Sequence, residues 1–212
     1  MHFRYYKSEK LILFLIGLTV LIGAFVTFVV HPCVEHAPNT IRNFIVFTEM
    51  FSVPFFISLV FYYINEIGWK KKIFKWLIDI PNLNGRYEGQ LESSYQNNGA
   101  NTIIQCAVEV KQTASNITIS AYFFNPLTNE NSKSDSVIEL IEKQKNGSFL
   151  LYYIYTNTPG RLHPALNIHE GTTVCIYYPD KKTLSGEYYN SRPLTGKFVV
   201  EWKSDKLIHR FK

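Results

Sequence analysis

The residues best equipped for chemistry gather in the second half of the chain: Tyr155, Asn157, Arg161, His163, His169, Thr172, Tyr188, Asn190 and Arg192. Arginine and histidine pair with phosphate oxygens, tyrosine stacks on a base, and asparagine and threonine read a base edge. The set is a candidate nucleotide pocket, with Tyr155, Asn157, Arg161, His169, Thr172, Tyr188 and Arg192 as its ligand contacts. It rests on composition and position, since these residues form no motif of fixed spacing. The competing reading is a solvated loop end in which Tyr155 and Tyr188 are core aromatics. Catalytic readings find less support: GxSxG, HExxH, P-loop and GxGxxG patterns are all missing from the sequence. His163 and His169 stand six apart across Pro164, a poor fit to one helical metal face. The three cysteines, Cys33, Cys106 and Cys175, form neither a CxxC pair nor a zinc pattern. No enzyme, metal or other cofactor is expected.

Such side chains need a scaffold, and the period of the sequence supplies one. From Gly85 onward eight segments of strand character follow one another, at about 85–95, 102–112, 116–124, 135–145, 148–157, 171–178, 183–190 and 195–203. In the last, Gly196, Phe198, Val200 and Trp202 share one face and Lys197, Val199, Glu201 and Lys203 the other. Eight such strands without a helix predict an antiparallel up-and-down β-barrel, with a sandwich as second choice. The connections sort by parity. Those after the second, fourth and sixth strands are tight, whereas 96–101, 125–134, 158–170 and 191–194 are longer. In an up-and-down barrel the odd connections share one end, so the binding mouth is expected there, facing away from any membrane the chain enters from.

The first third of the chain reads differently. The mean hydropathy of −0.06 averages a sharply apolar N-terminal part with an ordinary remainder. Leu11 to Val30 is a run of 20 residues without a charge, about 30 Å of helix, which matches the hydrocarbon core of a bilayer. Phe44 to Ile64 is the second expected span and carries Pro54 and Glu49, read either as a polar contact in an assembly or as an interfacial carboxylate. Residues 1–66 are thus expected to form a two-helix transmembrane hairpin, with spans 11–30 and 44–64. Arg4, Lys7, Lys10, Lys70, Lys71, Lys72 and Lys75 flank the spans, against Arg42 alone in the connector, which puts both termini in the cytoplasm. Residues 67–80 interleave lysines with Trp69, Ile73, Phe74, Trp76 and Leu77, the pattern of a short interfacial helix, and 81–212 form the cytoplasmic barrel. The net charge of +5 suits anionic lipid or phosphate-bearing partners and also an ordinary lysine surplus. Thr19, Gly23 and Thr27 recur four apart, either a helix-packing stripe or common membrane-helix composition.

Helix hairpin, basic segment and β-rich domain in this order resemble the two-transmembrane, β-strand-rich effectors of bacterial CBASS anti-phage systems. Short segments carry the resemblance too: Gly85-Arg86-Tyr87-Glu88-Gly89, His169-Glu170-Gly171-Thr172, and Gly186-Glu187-Tyr188 with Arg192 and Thr195-Gly196. The resemblance implies a receptor for a cyclic dinucleotide made by a CD-NTase-type synthase, with a logic similar to that of STING. Ligand binding by the barrel would assemble the hairpins into a homo-oligomer that disrupts the bacterial inner membrane. The partners it implies are the cyclic dinucleotide, membrane lipids and further copies of the chain, and no DNA or RNA polymer. The rival readings are a membrane-tethered, lipocalin-like carrier of an apolar ligand and a structural membrane adaptor. A cavity with a polar mouth favours the nucleotide, a wholly apolar cavity the lipid, and a barrel filled by its own aromatics the adaptor.

Overall fold

A computed structural model describes residues 3–35, 38–97, 99–159 and 168–211, and divides the chain into two compact units. Arg161 and His163 lie outside the described residues.

The first unit comprises Met1–Asp79 and Thr113–Ser115. Its helix α1 (Ser8–Phe25) runs through a π-helical stretch, Val26–Val30, into the short α2 (His31–Glu35). Pro32 explains the widened stretch: its ring clashes with the carbonyl four residues earlier, at Phe28, and a looser turn there relieves the clash. Among the described residues, Ser8–Val30 is the helix long and apolar enough to cross a membrane. Helix α3 (Asn39–Glu66) is 28 residues long and passes through Pro54, but its described apolar portion is the shorter Val53–Glu66. The side chain of Glu49 is outside the described set. Of the small-residue stripe, Thr19 spends its hydroxyl on the Leu15 carbonyl at 2.8 Å, and a methyl added at Gly23 would meet nothing within 4 Å. Thr27 falls in the π-helical stretch, where the changed turn breaks the simple four-residue register. The basic segment forms two 3-10 turns, Gly68–Lys70 and Lys72–Phe74, in place of the expected short helix. Phe74 closes over Gly68 and Lys71 donates to the Tyr63 hydroxyl at 2.7 Å, contacts that fold the segment back on itself.

The second unit, Ile80–Gln112 and Asn116–Lys212, is a closed barrel of eight antiparallel strands in sequence order. The strands are β1 (Gly85–Asn97), β2 (Ala100–Gln112), β3 (Ile117–Asn125), β4 (Glu130–Lys143), β5 (Phe149–Pro159), β6 (His169–Tyr178), β7 (Thr183–Asn190) and β8 (Thr195–Ser204). Closure comes from β1 pairing with β8, Gly89 opposite Val200 and Leu91 opposite Phe198. Alternate residues then face inward, and Tyr87, Val110, Ile117, Leu151, Leu184 and Val200 are almost fully buried at the end of the even connections. Two differences from the sequence reading matter for the site. Strand β4 begins at Glu130, five residues before the expected 135, because its polar residues pair with both β3 and β5. Asn97 pairs with Ala100, so the first hairpin is tight as well. The predicted contrast between long odd and short even connections therefore holds only for the segment between β5 and β6.

Outside the barrel, a buried ion pair ties down the end of the chain. Arg86 on β1 donates to Glu109 on β2 at 2.7 Å, and both side chains are almost fully buried. A lone buried pair would gain little over apolar residues, but here every remaining polar atom has work. Arg86 also reaches Glu88 at 2.7 Å, the Arg210 carbonyl at 2.8 Å and the Phe211 carbonyl. Glu109 accepts from the amides of Ile208 at 2.7 Å and His209 at 3.1 Å. Phe211 then stacks on Phe124 of β3, centroids 5.5 Å apart. Removing one member strands the other charge, so Glu109→Ala is expected to cost about 3–5 kcal/mol. Lys133→Ala, which opens an exposed pair with Asp135, should cost about 0–1 kcal/mol. Thermal and urea denaturation of the full chain in detergent, followed by the β signal, measures both. Equal losses would mean that the strap contributes no more than a surface contact.

Candidate functional site

The barrel is filled at one end and hollow at the other. A cavity of about 810 Å³ occupies the half bounded by the odd connections, reaching from Leu91, Cys106, Val108 and Phe198 at its floor to Asn125, Glu130, His169 and Arg192 at its mouth. That volume is in the range of small-molecule sites. Floor and mouth differ in chemistry because the alternating inward positions change from apolar to polar along several strands. On β1 the inward series runs Tyr87, Leu91, Ser93, and on β5 it runs Leu151, Tyr153, Tyr155, Asn157.

Six of the residues singled out from sequence line this cavity: Tyr155, Asn157, His169, Tyr188, Asn190 and Arg192. Asn157 donates its amide to Ser134 at 2.8 Å, and Tyr188 donates its hydroxyl to Ser93 at 2.9 Å. The first joins neighbouring strands, the second reaches from β7 past β8 to β1, and together they hold the polar ring in place. Asn190 accepts from the amides of Arg192 at 3.0 Å and Leu194 at 3.2 Å, a local turn that sets where Arg192 leaves the backbone. Thr172 does not join them. It pairs with Ile154 and Tyr189 on the outer face, and the buried neighbour Thr173 is the cavity residue of β6.

Two glycines explain how the tyrosines fit. A methyl on Gly171 would collide with the ring of Tyr155, and one on Gly196 with the ring of Tyr188. Each ring therefore lies across the bare backbone of the next strand, an arrangement that fills the space a side chain would need. Burial above all, and then the nearby Tyr188, pushes the Tyr155 hydroxyl up. Burial likewise raises Tyr188, against a lowering hydrogen bond with Ser93. Both phenols are therefore neutral hydroxyls at physiological pH. Cys106 on the floor is a free thiol that burial pushes up to about 12, so it packs as a small apolar group. Among the described residues no cluster of His, Cys, Asp and Glu is built to hold a metal ion.

The sequence reading missed the β3–β4 wall. Glu130, Ser132 and Ser134 face the cavity from β4, and Phe123 and Asn125 from β3. A strand with a polar inner face has no apolar alternation, so residues 130–134 read as loop. The trace was there in the two-residue spacing of Ser132, Ser134 and Ser136.

A closed antiparallel barrel with a hollow, polar-mouthed end is a small-molecule receptor scaffold. The chain belongs to the family described as Cap15, cyclic dinucleotide receptor domain, whose model matches residues 78–202, and so to the CBASS effectors. The comparison with curated proteins finds no match.

The two glycines give the site a direct test. Gly171→Ala and Gly196→Ala should each lower barrel stability by about 1–3 kcal/mol through overpacking. Gly17→Ala, where an added methyl meets nothing within 4 Å, should leave it unchanged. A methyl at Gly196 would also meet the Glu92 carbonyl and one at Gly171 the Tyr189 carbonyl. Thermal melting of the three full-length variants checks this, and unshifted barrel variants would contradict the close packing at both glycines.

Proposed function

We propose that the cavity binds a cyclic dinucleotide, and that occupancy gathers copies of the chain and breaches the bacterial inner membrane. The observation that carries the first part is the mixed lining: aromatic faces at Phe123, Tyr155 and Tyr188, cation-capable groups at His169 and Arg192, and amides between them. Bases stack on the first, phosphates pair with the second, and base edges or sugars meet the third. Arg161, outside the described residues, is a further phosphate contact in this reading. The polar mouth argues against a carrier of apolar ligands. The empty volume of about 810 Å³ argues against an adaptor whose barrel is packed with its own side chains.

The membrane part rests on the first unit. Ser8–Val30 spans the bilayer, α3 returns through it, and the cationic flanks keep both termini in the cytoplasm, so the chain is multi-pass. A two-helix hairpin encloses no channel by itself, so a lesion requires several protomers. Ligand promotes assembly only by binding the associated state more tightly than the free one. Thr19 and Gly23, four residues apart on α1, offer a surface with little side-chain bulk for a neighbouring copy, and Thr27 follows in the π-helical stretch. The protein works in this reading as a non-enzymatic effector.

The full chain in liposomes loaded with dye tests both parts. Cyclic dinucleotide should release the dye from vesicles carrying the parent protein. Arg192→Ala should need about ten- to a hundredfold more ligand, the loss of one charge-assisted contact. Gly23→Leu should bind ligand as the parent does and release no dye. A parent protein that binds no cyclic dinucleotide contradicts the receptor reading, and one that binds without leakage contradicts the effector reading.

A further inference from the structure

The basic segment after α3 forgoes the expected helix but keeps its cations at the surface. Lys70, Lys71, Lys72 and Lys75 are all exposed. The carboxylates that flank them are engaged elsewhere: Glu66 accepts from Asn65 at 2.7 Å, and Asp79 lies 3.9 Å from Lys7. Lys71 is spent on the Tyr63 hydroxyl, and the Lys70 nitrogen lies 5.7 Å from the centre of the Trp69 ring. Among the described residues, Lys70, Lys72 and Lys75 have no carboxylate partner. Beside these cations stand Ile73, 69% exposed, and Trp76, 45% exposed. Bare apolar side chains among unpaired cations fit a boundary that is anionic on one side and apolar on the other.

Contacts within the first unit set the level of this surface along α1. Lys7, just before that helix, donates its amide to the Leu77 carbonyl at 3.0 Å, and Tyr6 bridges to Ile78. Trp76 meets Phe14 of α1 edge-on, with ring centroids 6.1 Å apart. Phe14 stands three residues inside the uncharged run that begins at Leu11, about 5 Å along the helix axis. The indole is therefore at the hydrocarbon boundary, the level at which tryptophan concentrates. Trp69, Leu77 and Ile78 are buried and hold the segment in place. The flexible stems of the neighbouring lysines reach the headgroup layer from there.

We infer that Lys70, Lys72 and Lys75 form a docking surface for anionic phospholipid, with Ile73 and Trp76 seated at the edge of the acyl chains. The inference rests on the membrane reading above and adds to it the class of lipid; it needs no cyclic dinucleotide. Each lysine near an anionic surface favours binding roughly fivefold, so three together favour it on the order of a hundredfold. Phosphatidylcholine has the same phosphate, but its choline cancels the charge that draws the lysines.

Native mass spectrometry of the full chain in detergent, titrated with phosphatidylglycerol or phosphatidylcholine of equal chain length, reads the preference. The parent should retain phosphatidylglycerol at least about tenfold more tightly. Joint Lys70→Gln, Lys72→Gln and Lys75→Gln substitution should bring the two lipids within about twofold of each other. Lys70→Arg, Lys72→Arg and Lys75→Arg together should keep the preference. So should Lys145→Gln, Lys203→Gln and Lys206→Gln, which remove the same charge from exposed positions of the barrel. Equal retention of both lipids by the parent, or an unchanged preference in the first variant, would overturn the lipid assignment and leave the membrane reading standing. Loss of the preference in the arginine or barrel variant would overturn it too. A parent chain that stays soluble without detergent or lipid would bring both readings down together.

Discussion

Every feature of the receptor domain depends on the seam where β1 meets β8. Pairing the first strand with the last removes both free edges and assigns each residue of the eight strands to an inner or outer face. At the seam Gly89 lies opposite Val200 with no space for a side chain between the two backbones. Once the ring is closed, the size of the inward side chains decides what stays hollow. Tyr87, Ile117, Leu151 and Tyr177 fill one end, and the serines, threonines and asparagines of the other are too short to meet across it. The cavity is the volume those short residues fail to fill.

Filling one end and emptying the other also sorts the physical work. The packed end supplies the apolar burial that holds the barrel shut. The hollow end presents neutral phenols, amides and a few charged groups in a partly dry setting, where each hydrogen bond to a ligand counts for more than in water. The polar ring is braced before any ligand arrives, through Tyr188 to Ser93 and Asn157 to Ser134. A braced ring loses less on binding than a mobile one. The strap built on Arg86 and Glu109 adds stiffness from outside, since it joins β1, β2 and β3 to the last residues described.

The barrel was legible because most strands alternate apolar and polar residues, and the parity of their connections located the mouth even though only one odd connection proved long. Tyr155, Asn157, His169, Tyr188 and Arg192 were legible for the same reason: they lie at or near the ends of strands that meet there. Phase was harder to read. Thr172 and Thr173 are one residue apart and chemically alike, yet a one-residue step moves a side chain to the other face. The β4 wall stayed hidden because a strand facing polar space loses its apolar signal. The Arg86–Glu109 strap joins residues 23 apart to the chain's last few, a pairing that no local pattern announces.

Hydrogen exchange of the full chain in a lipid bilayer, with and without saturating cyclic dinucleotide, tests most directly that the hollow end is the receptor site. Exchange should slow in the cavity-lining ends of β1, β3, β4, β5 and β7, around residues 91–95, 121–134, 153–159 and 188–194. The turns at 144–148 and 179–182, at the packed end, should exchange as before. Slowing confined to those turns, or none anywhere while the ligand is bound, would contradict the account.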